Sequence, residues 1–212
     1  FLAIVASFGI YTSVDNSSKE VLNSIEKNKI SWLSNTVWPF LLVASIGSLC
    51  QASLLQSIGF YIYDIFSYLD RLPVIVSMTF ALLAISTIVS QYIFTDFYPL
   101  NTTKLLLCGV FLIILSFFIM AFFNKIIIYY ISIVINGLGG GMLRPGISSA
   151  LSLSQNPSNQ GSAAGYLGSV YPIGHMLTPF VAMPIYALNP SYLYYFSSIL
   201  CIALIIFIMV HP

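Results

Sequence analysis

A few polar side chains lie inside long apolar stretches of the sequence, and these are the groups that could bind a solute. Arg144 and His175 are basic, and Gln51, Gln56 and Tyr171 can donate or accept hydrogen bonds. A charge inside a membrane segment is costly and by default suggests function. Arg144 could pair with an anionic solute or steady a proton relay, or it could extend to the lipid headgroups or bond the carbonyl groups freed by Pro172 and its neighbours. His175 could titrate near neutral pH or pack as a neutral ring.

The two glutamines have different expected roles. They are five residues apart, which is about 140° around a helix at 3.6 residues per turn. Gln51 and Gln56 therefore cannot both face one point of a cavity. At least one of them is expected to form a hydrogen bond between helices.

No pattern in the chain marks a catalytic or metal site. The sequence has no GxSxG, no HExxH, no glycine-rich phosphate loop and no paired carboxylates. Cys50, Cys108 and Cys201 are far apart and form no CxxC, so neither a disulfide nor a metal site is expected. The chain is predicted not to be an enzyme and to need no cofactor. An intramembrane serine–histidine hydrolase stays as an alternative, without a marked nucleophile.

The composition excludes most soluble classes. Of 212 residues, 58% are apolar and 6% are charged, with a mean hydropathy of +0.95. Soluble domains carry about 25% charged residues. A net charge of +1 gives no footprint for a nucleic acid. The chain is therefore expected to lie in a lipid bilayer.

The apolar stretches predict an all-α membrane protein. A spanning helix needs about 20 mostly apolar residues. The fold class expected is a bundle of six transmembrane helices, preceded at residues 1–13 by the end of a further helix whose start is missing. The six predicted spans are Val37–Phe66, Pro73–Phe94, Leu105–Asn124, Ile126–Ser152, Ser162–Leu188 and Tyr192–Val210.

The basic residues of the connections predict the orientation. Lysine and arginine are enriched on the cytoplasmic side of membrane proteins. One side receives four of these residues and the other two, namely Lys19, Lys27, Lys29 and Lys104 against Arg71 and Lys125. The polar stretch 14–35 and the C-terminus are therefore predicted to be cytoplasmic, in a multi-pass protein of the cell (inner) membrane.

Small residues form stripes on the fourth and fifth spans. Gly137 and Gly141, and likewise Gly161 and Gly165, have the spacing that lets helix backbones approach closely, and Gly168 continues the second stripe. These glycines are predicted to pack helices together. Prolines in the same spans remove backbone hydrogen bonds and could serve as hinges or only shape the helices. They are Pro145, Pro172, Pro179 and Pro184.

The distribution of polar residues separates the helices into two groups. The third and sixth spans hold little besides a few serines, a cysteine and a glycine, and are predicted to face lipid all round. The other four carry the glutamines, hydroxyls, glycines and basic residues, and are predicted to surround a cavity. Such an arrangement suits the movement of a solute.

Four passages of the chain together carry a family resemblance by their order and spacing, although each alone is weak. They are Leu54–Asp64, Ser90–Gly109, Gly137–Leu153 with Gln160 and Gly161, and Gly161–Pro179. They resemble the C-terminal six-helix half of a major facilitator superfamily transporter, most closely its drug:proton antiporter and tetracycline-efflux-like branch.

The resemblance implies a transporter built of two six-helix halves that work by alternating access. Residues 1–13 would then end helix six, 14–35 would be the central cytoplasmic loop, and 36–212 would be helices seven to twelve. The family's loop signature is weakened here. Asp96 matches it and Lys104 remains, whereas Pro99 and its neighbours replace the glycine and basic positions. Asp96 and Lys104 are the candidates for loop gating.

The function expected is secondary transport of a small solute, coupled to protons, with efflux of drug-like or metabolite molecules favoured. The expected partners are the solute, protons, the bilayer and the missing N-terminal half. The alternative is a stand-alone or truncated membrane bundle with a structural or interaction role and no transport of its own.

Overall fold

The computed structural model describes residues 31–97 and 101–210, and for Thr95 and Asp96 the backbone only. Predictions that concern residues 1–30 lie outside this range. Six long helices account for most of the described chain. They are α1 (Trp38–Ile65), α2 (Leu72–Gln91), α3 (Thr102–Phe122), α4 (Ile126–Leu153), α5 (Gln160–Leu188) and α6 (Pro190–Val210).

Proline and tight turns define several helix ends. Pro39, Pro73 and Pro190 lie in the first turn of α1, α2 and α6, where the missing N–H has no helical partner to lose. Arg71 takes the left-handed conformation, with φ 61°, directly before α2. The connections are short, so consecutive helices run in opposite directions across the bundle. We call its two ends the Trp38 end and the Ile65 end.

The predicted six-helix architecture is confirmed, with one difference at the end of α2. A six-residue π-helical segment, Tyr92–Phe97, extends α2 past Phe94, where the second predicted span ended. Of the helices described, five are long and apolar enough to cross a membrane. Helix α5 has 29 residues, but its glycines and three internal prolines lower its mean hydropathy.

The six helices form two sets of three, α1–α3 and α4–α6, which pack against each other. The second helix of each set lies on the first helix of the other set, so that α2 packs on α4 and α5 packs on α1. The third helices, α3 and α6, contact each other, and α3 also packs closely on α4. Helices α2 and α4 run in the same direction. Leu83 and Ser86 lie against Gly137, and Thr87 and Ser90, further along α2, lie against Gly141.

Glycines let α4 approach the backbones of α2 and α3 closely. A Cβ on Gly137 would meet the main-chain oxygen of Leu83 at 2.8 Å, and one on Gly141 would meet that of Thr87 at 2.5 Å. A Cβ on Gly139 would lie 2.7 Å from the oxygen of Gly109 on α3. Side chains such as that of Ser86 also lie close, but each position has a backbone oxygen among its neighbours, which cannot turn aside as a side chain can. Gly137 and Gly141 therefore lie at the contact of α4 with α2.

The glycines at the start of α5 differ from those of α4. A Cβ on Gly161, Gly165 or Gly168 would meet nothing within 4 Å. Among the residues that the structure describes, no neighbouring atom fills the space that a side chain at these three positions would take, and any packing role stays a prediction. The close contact of α5 is at Gly174, where a Cβ would lie 2.8 Å from the nitrogen of Leu49 on α1.

Burial corrects the prediction that α3 and α6 face lipid all round. Val110, Phe117 and Met120 of α3, and Tyr194 and Leu204 of α6, are buried in the core. These two helices are strongly apolar because one apolar face packs in the core of the bundle and another is exposed on its surface. In contrast, α2 buries only small polar residues, which are Thr79, Ser86 and Ser90.

Gly137→Ala is expected to destabilise the full-length protein, because the added methyl would push α2 away from α4. Overpacking of this kind costs about 1–3 kcal/mol. Gly165→Ala is the matched control, since its Cβ has open space and a helical alanine gains roughly 0.5–1 kcal/mol over glycine. Thermal unfolding in detergent measures both. Equal effects of the two substitutions would contradict the packing described for α4.

Candidate functional site

A groove of ≈400 Å³ opens between α1, α2 and α4. Its walls combine amides, a hydroxyl and one cation with apolar side chains. The residues that line it are Gln51, Leu55, Phe80, Leu83, Ala84, Thr87, Ile88, Gln91, Gly140 and Arg144. A concave site with an apolar lining and a few polar groups is the usual form of a small-molecule site.

The absence of a side chain at Gly140 shapes the groove. The amide of Gln51 lies against this glycine, so closely that a Cβ there would collide with the amide nitrogen. Gly140 therefore makes the room in which Gln51 faces α4. Arg144 follows one helical turn later and lines the same groove.

The guanidinium of Arg144 lies over an aromatic ring of α5. Its Cζ is 5.3 Å from the centroid of the Tyr171 ring, within the range of a cation–π interaction. Gln51, Arg144 and Tyr171 also surround a small cavity of ≈10 Å³ between α1, α4 and α5. The structure thus brings together three of the five residues that the sequence analysis singled out.

Gln56 and His175 form a second, separate pair. The Nε2 of Gln56 donates a hydrogen bond to the main-chain oxygen of His175 at 3.3 Å. In an unbroken helix this oxygen would accept from the N–H of residue 179, but Pro179 has none. Gln56 thus supplies from α1 the donor that the proline removes from α5. The imidazole of His175 is half-buried and lines neither of the two cavities described above.

A third polar contact joins α1 and α5 at the Ile65 end. The hydroxyl of Tyr186 donates to the Oδ2 of Asp64 at 2.6 Å, and Asp64 is exposed. The short distance is typical of a hydroxyl bonded to a carboxylate. Asp64 is therefore anchored to the neighbouring helix even though it lies at the end of its own.

The candidates for loop gating lie near the Trp38 end. The backbone of Asp96 belongs to the π-helical extension of α2, and its side chain is outside the described part of the structure. Lys104 is exposed in the first turn of α3. A gating role for either residue stays a prediction.

The structure adds three residues that the sequence analysis did not select. Thr87 and Gln91 line the groove from α2, one helical turn apart. Asn136 is fully buried, and neither atom of its amide has a hydrogen-bond partner among the described residues. The sequence signal that could have found them is a spacing of four residues, which places side chains on one face of a helix. This spacing relates Asn136 to Gly140 and Arg144, and it relates Thr87 and Gln91 to Leu83.

Comparison with known proteins assigns the family. A sequence model of the Major Facilitator Superfamily matches residues 75–212, which is more than half of the chain. The chain belongs to the Major Facilitator Superfamily. As a member of this superfamily with long apolar helices, it is a multi-pass membrane protein. No curated protein matches it significantly.

Solved structures of the Major Facilitator Superfamily fold share its helix arrangement. A mutant of the peptide transporter POT in complex with alafosfalin superposes with a TM-score of 0.72 at 17% identity, over 82% of this chain and 37% of that one. The same transporter in complex with sulfate gives a TM-score of 0.72 at 16% identity, with the same coverage. The chain thus spans 37% of the length of these transporters, and identities this low show the fold alone.

A double-mutant cycle tests the pairing of Gln56 with the proline break. Gln56→Leu is expected to destabilise the full-length protein by about 1 kcal/mol, because the His175 oxygen loses its donor. Pro179→Ala supplies a helical N–H to that oxygen, so Gln56→Leu should cost clearly less in this background. Unfolding free energies in detergent give the coupling. Additive effects would show that Gln56 does not serve the break.

Proposed function

We propose that this chain is the C-terminal six-helix half of a secondary transporter, and that the groove between α1, α2 and α4 is its share of the solute path. The observation that carries the proposal is the groove itself, in which Arg144 and Gln51 meet inside a membrane helix bundle. An intramembrane cation is retained at a cost, and binding a solute would explain it. Membership of the superfamily supports the same function.

In this proposal, residues 36–212 rock against an N-terminal half, and residues 14–35 connect the two. Two features support movement of this kind. Three prolines interrupt α5, and a side chain of α1 replaces one of the lost hydrogen bonds. Helices α2 and α5 also leave large apolar side chains exposed, among them Ile85, Ile88, Met176 and Phe180. Lipid or the other half would cover them.

We further propose that transport is coupled to protons and that the protein belongs to the drug:proton antiporter branch, with drug-like or metabolite molecules as solutes. A histidine, His175 on α5, and a carboxylate, Asp64 at the end of α1, belong to the described helices. The Tyr186 hydroxyl donates to Asp64, so that carboxylate takes part in the contact of α1 with α5. Coupling acids of the N-terminal half are also compatible with this mechanism.

Transport is tested with the full-length protein in liposomes that contain a pH-sensitive dye. Solutes from a panel of drug-like compounds and metabolites are expected to produce proton flux in the opposite direction. Arg144→Gln should lower the flux of a transported solute about tenfold or more, since a hydrogen bond to a charged group contributes roughly 1.5–3 kcal/mol. His175→Ala should shift its pH dependence.

Arg71→Gln is the matched control, because Arg71 is an exposed arginine at the Ile65 end, outside the groove. It should leave the flux unchanged. Wild-type rates, affinity and pH dependence in both the Arg144 and the His175 variants would remove these residues from the mechanism. No solute flux from the full-length protein would instead favour a bundle with a structural role.

The proposed orientation places the Trp38 end and the C-terminus in the cytoplasm. A variant without Cys50, Cys108 and Cys201 allows one new cysteine to be labelled in intact cells. Asn156→Cys, between α4 and α5, should be protected from a membrane-impermeant maleimide, and Asn124→Cys, between α3 and α4, should be labelled. The opposite pattern would invert the proposed topology.

A further inference from the structure

The groove has a polar end and an apolar end. Because α2 and α4 run in the same direction with Thr87 beside Gly141, Gln91 and Arg144 both lie towards the Trp38 end. Leu83 and Phe80 lie one and two turns before Thr87, towards the Ile65 end. A solute that fills the groove along the bundle axis therefore meets a cation and amides at one end and hydrocarbon at the other.

Arg144 is the cation at the polar end, and no side chain that the structure describes in the groove carries the opposite charge. Among the residues that the structure describes, no carboxylate lines the groove, and no ion pair is formed by Arg144. Its described contact is with the Tyr171 ring, whose centroid lies 5.3 Å from Cζ. An aromatic ring carries no charge that would neutralise the guanidinium, so the planar fork of N–H donors can bind an anion in a bidentate manner.

The amides and the apolar wall define the rest of the ligand. Gln51 and Gln91 can donate to further oxygens of an anionic head, and neither brings a negative charge that would repel it. The wall formed by Leu55, Leu83 and Phe80 offers no partner to a second charged group. A groove of ≈400 Å³ accommodates one anionic head with a compact hydrocarbon or aromatic body.

We propose that this groove binds amphipathic organic monoanions, with the carboxylate or sulfonate on Arg144 and the apolar body along Leu55, Leu83 and Phe80. The proposal rests on the function proposed above and names its class of solute. Gly140 belongs to the site because it keeps the Gln51 amide beside the anion. Tyr171 is a positioning residue, because its ring contacts the guanidinium from α5.

The test uses the purified full-length protein and two probes with the same body. N-acetylphenylalanine carries a carboxylate, and N-acetylphenylalanine amide is neutral. The acid is expected to bind and to raise the unfolding temperature, and the amide should bind about tenfold more weakly or worse. Arg144→Gln should abolish this preference, Arg144→Lys should retain part of it, and Arg71→Gln should not change it.

Several results would overturn the proposal. One is equal binding of acid and amide, another is no binding of the acid, and a third is an unchanged preference in Arg144→Gln. A fourth is Arg144-dependent stabilisation by phosphatidylglycerol but not by N-acetylphenylalanine, which would assign the cation to a lipid headgroup. Transport of neutral solutes with an Arg144-independent rate would refute the monoanion class and leave the transport function standing. Absence of any solute flux would refute the transport function itself.

Discussion

The close approach of α4 to its neighbours is the contact on which the rest of the bundle depends. Gly137 and Gly141 face α2, Gly139 faces α3 and Gly140 faces α1, so one run of small residues serves three helices. Inside a bilayer, burying apolar side chains gives helices little reason to associate, and close packing with short interhelical hydrogen bonds takes over. The Ser90 hydroxyl, which donates to the Leu138 oxygen at 2.6 Å, is such a bond at the same contact.

The groove follows from that contact. Because α2 is held against α4, side chains of both helices line a common space next to the glycines. These are Thr87 and Gln91 on α2 and Arg144 on α4. Gln51 completes it because Gly140 has no side chain to exclude it. The closely packed part of the bundle and its groove thus share the same segment of α4, and a change at the glycines would alter both.

Helix α5 is built on a different principle. Its three internal prolines leave carbonyl groups without helical donors, and in hydrocarbon such groups are costly. The bond from Gln56 to the His175 oxygen and that from Tyr186 to Asp64 join α5 to α1 by side chains, beside the close backbone contact at Gly174. Side-chain bonds of this kind can exchange partners when helices shift, whereas backbone contacts at glycine cannot. The contact of α5 with α1 therefore combines one fixed point with bonds that can change.

The sequence by itself determined the membrane class, the six helices and the short list of polar groups inside them. All three follow from local properties of the sequence, since a spanning helix needs about 20 apolar residues and a charge within a span is rare and costly. The division of the five candidates into a groove set and a proline-supporting pair required the tertiary structure, as did the selection of Gln91 and Asn136. Spacing along one helix gives the face on which a residue lies but not the helix that meets it. Only the packed bundle decided that Gly137 lies against backbone and Gly165 does not, because the two have the same local pattern and differ in what stands opposite.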